Sequence, residues 1–266
     1  MAEPVGIVGV RFLNAKPLLA GLEAGIHAAF PYRFSVADPS ACAGDLAEGT
    51  VDAGLVPVAS LPALPAAAAL PGLGVASRQA ATSVLLVSRV PLREVRTLAA
   101  HTASRTSVIL ARLLLLEQWG ARPEVVPATP PLAAMLSGAD AAVIIGDPAL
   151  SERGRSGLLE IDLAAAWVEW TGLPFVFAIW AVRGGSPAGL EELFMRSLDH
   201  AVGHWEELIP RWSAAHHLDL EATRHYLGSI LTYHLGDAER AGIEEFLRLT
   251  ARAGLLPGRR EIWRTA

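Results

Sequence analysis

The sequence predicts an α/β protein of two lobes facing a cleft and joined by two crossover strands. Short, wholly apolar runs such as Val5–Val10, Val84–Val87 and Ala141–Ile145 have the length and texture of buried strands. Helical patterns stand between them, the alternation expected of strand–helix–strand units. Polar islands follow several of these runs, where ligands collect in open α/β sheets. The middle segment reads as an insertion, so residues 1–84 and 181–266 make a discontinuous first lobe and residues 85–180 an inserted second one. The crossings are expected near Ser83–Ser88 and Phe175–Val182, and a double connection of this kind favours hinge closure over a cleft.

Val5 to Val10 reads as a central parallel strand, with Arg11-Phe12-Leu13-Asn14 leaving its C-terminal end. Pro17 suits the first turn of a helix that turns Leu18, Leu19, Leu22 and Ile26 inward. Tyr32–Val36 alternates as a strand, Ala43–Glu48 is a short helix, and Ala53–Val56 is a strand ending at Pro57. The alanine-rich run from Val56 to Leu73 carries Pro57, Pro62, Pro65 and Pro71, so it reads as short packed helices and turns in preference to a membrane span. Leu73–Ala76 is a strand that leads to a polar island, Ser77 to Ser83, and then to the strand Val84–Ser88. Val108 to Leu116 is too long for one strand and lacks Gly and Pro, which makes it a buried helix. Val125–Pro127 and Ala141–Ile145 are strands of a second sheet, Gly146-Asp147 follows the latter, and Phe175–Val182 is a long apolar strand. After Pro187, apolar residues recur at three- and four-residue steps in three amphipathic helices around Leu193, Leu231 and Phe246, separated near Pro210–His217 and at Gly236-Asp237, with Asp237 a cap for the third.

Composition excludes several classes. Hydrophobic residues make up 52% and charged residues 18%, which describes a chain that packs a core. A net charge of -5 argues against nucleic acid as a partner, because phosphate binding needs a concentration of Lys and Arg. Lys16 is the sole lysine. Cys42 is the sole cysteine, so it can form neither an internal disulfide nor a structural zinc site. The chain enters Val5–Val10 without a basic segment, apolar core and cleavage site, and the expected compartment is the cytoplasm. The late helices could leave an apolar face for self-association, which keeps a homo-oligomer open.

Ser104-Arg105-Thr106-Ser107 stands immediately before the buried helix. The first N–H groups of a helix lack partners and the aligned peptide dipoles favour negative charge there, so this turn is an anion seat. Hydroxyls of Ser104, Thr106 and Ser107 could complete it and Arg105 could add a full charge, although ordinary capping would explain one hydroxyl. Asn14 occupies the end of the first strand, where it is either a site residue or a turn residue. Asp147, after its strand, is an acid, base or orienter, or else caps a turn. The eight histidines form no ligand set, Ser83 and Ser107 lack a Gly-x-Ser-x-Gly elbow, and Gly6–Gly9 is no dinucleotide fingerprint.

Five segments in order carry a resemblance. Phe12–Pro17, Thr82–Ser88, Ser104–Ser107, Ile145–Leu150 and above all Trp170-Thr171-Gly172-Leu173-Pro174-Phe175-Val176-Phe177-Ala178-Ile179-Trp180 resemble the menaquinone biosynthetic enzymes of the futalosine pathway, in particular the branch that dehydrates chorismate. The resemblance implies the periplasmic-binding-protein type II fold, conversion of chorismate into 3-[(1-carboxyvinyl)oxy]benzoate with loss of water, and no metal or organic cofactor. It also implies a catalytic role for Asn14, with Asp147 as a further candidate. A dicarboxylate substrate needs two seats: Ser104–Ser107 with Arg105 would hold one carboxylate, and Thr82-Ser83 with Arg78 the other, unless Thr82 and Ser83 are a polar strand start. Trp167, Trp170 and Trp180 would either face the substrate ring or fill the core, and Trp170 is the binding candidate among them. The chain departs from the family pattern at Gln79-Ala80-Ala81-Thr82, where a Gly-Pro-Val-like turn is usual.

Overall fold

The computed structural model describes residues 3–258 and 261–264. The opening run forms β1 (Val5–Val10), buried along its whole length because both faces are covered, which is why it reads as unbroken apolar sequence. It is followed by α1 (Lys16–Glu23), β2 (Tyr32–Ala37), α2 (Pro39–Glu48), β3 (Ala53–Pro57) and β4 (Ala67–Ser77). The middle segment contains β5 (Val84–Ser88), β6 (Thr97–His101), α3 (Thr106–Trp119), β7 (Glu124–Ala128), α4 (Leu132–Leu136), β8 (Ala141–Ile145), α5 (Asp147–Glu152), β9 (Leu159–Asp162) and α6 (Leu163–Thr171). The chain closes with β10 (Phe175–Arg183), α7 (Leu190–Gly203), α8 (Trp205–His216), α9 (Leu220–His225), β11 (Leu231–His234) and α10 (Asp237–Arg252).

Two sheets organise these elements. The first runs β11-β4-β10-β3-β1-β2 and the second β7-β6-β8-β5-β9. β1 pairs in parallel with β2 and β3, whereas β10 lies antiparallel between β3 and β4. In the second sheet β6 pairs in parallel with β7 and β8, and β5 antiparallel with β8 and β9. All of β10 therefore belongs to the first sheet, with Phe175 opposite Ser77 and Arg183 opposite Ala67. This moves the return crossing ahead of Phe175, and residues 175–180, expected in the second lobe, lie in the first.

Two other expectations change. The alanine-rich run is not all turns, because Ala67–Ser77 is a strand of 11 residues. Its Pro71 sits where the β4–β10 register shifts between Gly74 opposite Ile179 and Ala69 opposite Ala181, and a bulge asks no ladder N–H of a proline. In the C-terminal part, α8 runs through Pro210, which was expected to be a break. The middle one of the three expected helices stops short of Leu231: α9 continues into a π-helical turn, Tyr226–Ile230, and Leu231–His234 is the edge strand β11. Gly236 caps α10 in place of Asp237, and the Glu239 carboxylate accepts the Gly236 N–H at 2.9 Å.

The core explains the odd character of α3, which is apolar on all sides. One continuous cluster joins the first sheet, α3 and the inner face of the second sheet through Leu86, Leu98 and Val143. The outer face of the second sheet, with Leu85, Val87 and Ile144, packs separately on α4. α3 is thus wedged between the sheets. Apolar contact between the lobes therefore runs through α3 as well as through the two crossings.

Candidate functional site

The C-terminal ends of β1 and β3 and the first turn of α3 surround a narrow cavity of about 50 Å³. It lies between the sheets and is lined by Phe12, Asn14, the whole Ser104–Ser107 segment, Gly146 and Phe177, with Leu55, Val75 and Val84 among the apolar walls. The lining has the character of a small-molecule site, mostly apolar with a few convergent polar groups.

Asn14 enters on a single 3₁₀ turn, Leu13–Ala15, which β1 delivers to the cavity. Its Oδ1 is buried and has no hydrogen-bond partner among the described residues. An orphaned buried acceptor costs roughly 1–3 kcal/mol and so marks a place where a ligand group fits. The first turn of α3 supplies donors. Ile109 N–H is the first to find a helical acceptor, the carbonyl of Arg105, and the N–H groups of Thr106, Ser107 and Val108 find none among the described residues. Arg105 is exposed and is the only charged side chain among the residues that line the cavity. The helix terminus and the guanidinium together make this end of the cavity attractive to an anion.

The three hydroxyls divide. Thr106 is already committed: its Oγ1 donates to the Phe177 carbonyl at 3.0 Å and accepts from the Ala59 N–H at 3.2 Å, tying α3 to the first lobe. Ser104 and Ser107 make no side-chain hydrogen bond among the described residues, so their hydroxyls stay open to the cavity.

The second expected seat is occupied by the protein itself. Asp162 takes the N–H groups of Ala81 at 3.1 Å and Thr82 at 2.7 Å, and also caps α6 through Ala164 and Ala165. Thr82 holds a left-handed backbone at φ 61, which this grip stabilises. Ser83 is buried, and its Oγ accepts from the Tyr226 hydroxyl at 2.6 Å; burial raises the Tyr226 pKa and keeps the phenol a donor. Neither Thr82 nor Ser83 lines the cavity. Arg78 lies outside it as well, paired at 2.8 Å with Glu239, whose side chain is 1% exposed. Half-buried Trp170 packs edge-on to Trp167 at 5.9 Å and buried Trp180 stacks on Phe194 at 3.9 Å; neither lines the cavity, whose aromatic side chains are Phe12 and Phe177. Asp147 does not line the cavity. Its Oδ1 accepts the Leu13 N–H at 3.3 Å and its Oδ2 lies 2.6 Å from Nδ1 of His216.

Sequence reasoning missed Phe12, Phe177, His216 and Tyr226. Phe12 was legible as the neighbour of Asn14, and Phe177 as an inward position of a strand. His216 and Tyr226 carry no local signal. His101 is buried behind Phe12, 6.5 Å from it between ring centres, and burial pushes its pKa down so that it stays neutral. Burial also pushes the Cys42 thiol up to about 12, leaving it passive. Among the described residues no group of three or more His, Cys, Asp or Glu could hold a metal, and no helix is long and apolar enough to cross a membrane.

Residues 5–252 match the menaquinone biosynthesis family. The chain belongs to that family. Among its relatives, the chorismate dehydratase of Thermus thermophilus is 32% identical over 198 residues, 66% of this chain and 71% of that protein. The chorismate dehydratase of Campylobacter jejuni is 28% identical over 109 residues, 41% of this chain and 48% of the relative. In three dimensions the family member described here superimposes on a protein from Archaeoglobus fulgidus with a TM-score of 0.75 at 14% identity, covering 95% of this chain and 98% of the other. The periplasmic aliphatic sulphonate binding protein SsuA of Escherichia coli gives 0.66 at 14% identity, covering 100% and 94%. Likeness at that identity speaks to fold, and the fold is the two-lobed type II periplasmic-binding-protein architecture.

Proposed function

We propose that the protein is a carbon–oxygen lyase of menaquinone biosynthesis that dehydrates chorismate to 3-[(1-carboxyvinyl)oxy]benzoate. The observation that carries this reading is the pairing, in one cavity, of an unpartnered Asn14 amide with the open first turn of α3. The relation to chorismate dehydratases of two organisms supports the choice of substrate.

In this reading the ring carboxylate docks on the N–H groups of Thr106, Ser107 and Val108, with Arg105 and the hydroxyls of Ser104 and Ser107 beside it. Phe12 and Phe177 flank the ring. The reaction removes one ring proton and breaks the adjacent carbon–hydroxyl bond, so that proton and hydroxide depart together as water and the ring becomes aromatic. Asn14 orients the departing hydroxyl by hydrogen bonding and carries no charge that could take the proton. The cavity lining contains no Asp, Glu, His or Lys, which leaves the substrate's own ether carboxylate to take the ring proton and pass it to the departing hydroxyl.

Purified protein incubated with chorismate is expected to consume the ring diene, followed by absorbance, and to release an aromatic ether lighter by one water in the mass spectrum. Saturable binding of chorismate without product would overturn the reading in favour of a carboxylate-binding protein. Turnover of cyclic dehypoxanthinyl futalosine to 1,4-dihydroxy-6-naphthoate instead would place the chain in the sister branch.

A further inference from the structure

We infer that Asp147 and His216 act as a pair of positioning residues that set the Asn14 turn from outside the cavity; this rests on the proposed dehydration. The argument begins with the turn itself. Leu13 opens the 3₁₀ turn Leu13–Ala15, and the first N–H of such a turn has no partner within it. Asp147, at the start of α5 in the other lobe, supplies the acceptor at 3.3 Å. That bond is long, and a carboxylate held by it alone would rotate. His216, the last residue of α8, removes the freedom by meeting the second oxygen at 2.6 Å. A carboxylate only accepts, so Nδ1 of His216 carries the hydrogen and donates.

Asn14 is next in the chain after Leu13, and nothing among the described residues holds its Oδ1. The place of its amide is therefore set by the backbone of the turn. Gly146 adds a second restraint on the same loop. It adopts φ 67, and a Cβ there would stand 3.1 Å from Cδ1 of Phe12, so the glycine lets Phe12 lie against it. The pair is not needed merely to join the lobes, because the core around α3 already does so. Its effect is local, one residue away from the group that meets the substrate.

Four variants test the pair: Asp147→Ala, His216→Ala, the double change, and Asp147→Asn. The asparagine keeps an acceptor for Leu13 and can donate to the other tautomer of His216. With chorismate, each alanine variant is expected to lower kcat about 10- to 100-fold, since misplacement of about 1 Å can cost that much. KM and the Kd of a nonreactive dicarboxylate should move less than about threefold, because the α3 seat is untouched. The double variant should be no slower than the slower single one, and Asp147→Asn should recover most of the rate. Hydrogen exchange at the Leu13 amide, which requires no turnover, should quicken about tenfold or more in both single alanine variants. Unchanged Leu13 exchange overturns the pair whether or not chorismate is the substrate. Quickened exchange in a wild type that leaves chorismate intact supports the geometry and sinks the reaction instead. Multiplying losses in the double variant, or KM rising in step with the fall in kcat, would also overturn it.

Discussion

Thr106 Oγ1 lies 3.0 Å from the carbonyl oxygen of Phe177 and also accepts the N–H of Ala59, so the first residue of α3 is bolted at once to β10 and to the turn after β3. The site is buried, and both partner groups are backbone atoms without a substitute. Thr106→Val keeps the shape and removes the hydroxyl. It should lower stability by about 1–3 kcal/mol, the cost of stranding a buried donor and acceptor, read as a fall in the urea midpoint at unchanged slope. Thr106→Ser should hold close to wild type. Equal midpoints for the valine and serine variants would show that the hydroxyl does not join the lobes.

Asn14→Ala should separate stability from activity. Turnover of chorismate is expected to fall about 100- to 1000-fold, the range for losing one group that acts on the charge developing in a transition state. The folded state should be as stable as wild type or slightly more so, because the buried amide oxygen has no partner to lose. Asn14→Asp should be worse for binding than Asn14→Ala, since a carboxylate would repel the anion held at α3. Normal turnover in the alanine variant would remove Asn14 from the reaction.

Arg78 is expected to matter for acid stability and not for turnover at neutral pH. Burial pushes the Glu239 carboxyl up, but its hydrogen bonds from Arg78 and from the N–H of Gly236 outweigh this and hold it below the usual glutamate range. A depressed carboxyl pKa contributes stability that is fully present above the unfolded value and is lost as pH falls through the folded value. Arg78→Ala removes the main compensating bond, so burial dominates and the loss of stability should begin at higher pH. Urea midpoints measured from about pH 3 to pH 7 check the displacement. A rise in KM for chorismate with no change in the acid limb would return Arg78 to the substrate.

What could be read before folding was what is local in the chain. β1, the turn with Asn14 and Pro17 form one continuous signal, and the placing of Ser104–Ser107 at a helix start needs only α3 to begin there. Arg78 was misplaced because its partner lies 161 residues away, and nothing near Arg78 announces Glu239. Asp147 was visible as a polar residue after a strand, yet its partners stand 134 and 69 residues off, which hides that its carboxylate is taken up by Leu13 and His216 outside the cavity. The strand β4 was masked by Pro71, since a bulge that tolerates proline is set by the neighbouring strand β10. Trp170 was taken for a ring-facing candidate because proximity in sequence to β10 says nothing about which side of it a side chain occupies.

The wedge of α3 between the sheets has a bearing on how small molecules come and go. Drawing the halves apart would wet apolar surface on both, an expense that grows with every square ångström exposed. Any parting of the halves that admits a guest therefore has to be offset by the contacts the guest makes at the Ser104–Ser107 turn. Selectivity then rests on which guests make enough of those contacts.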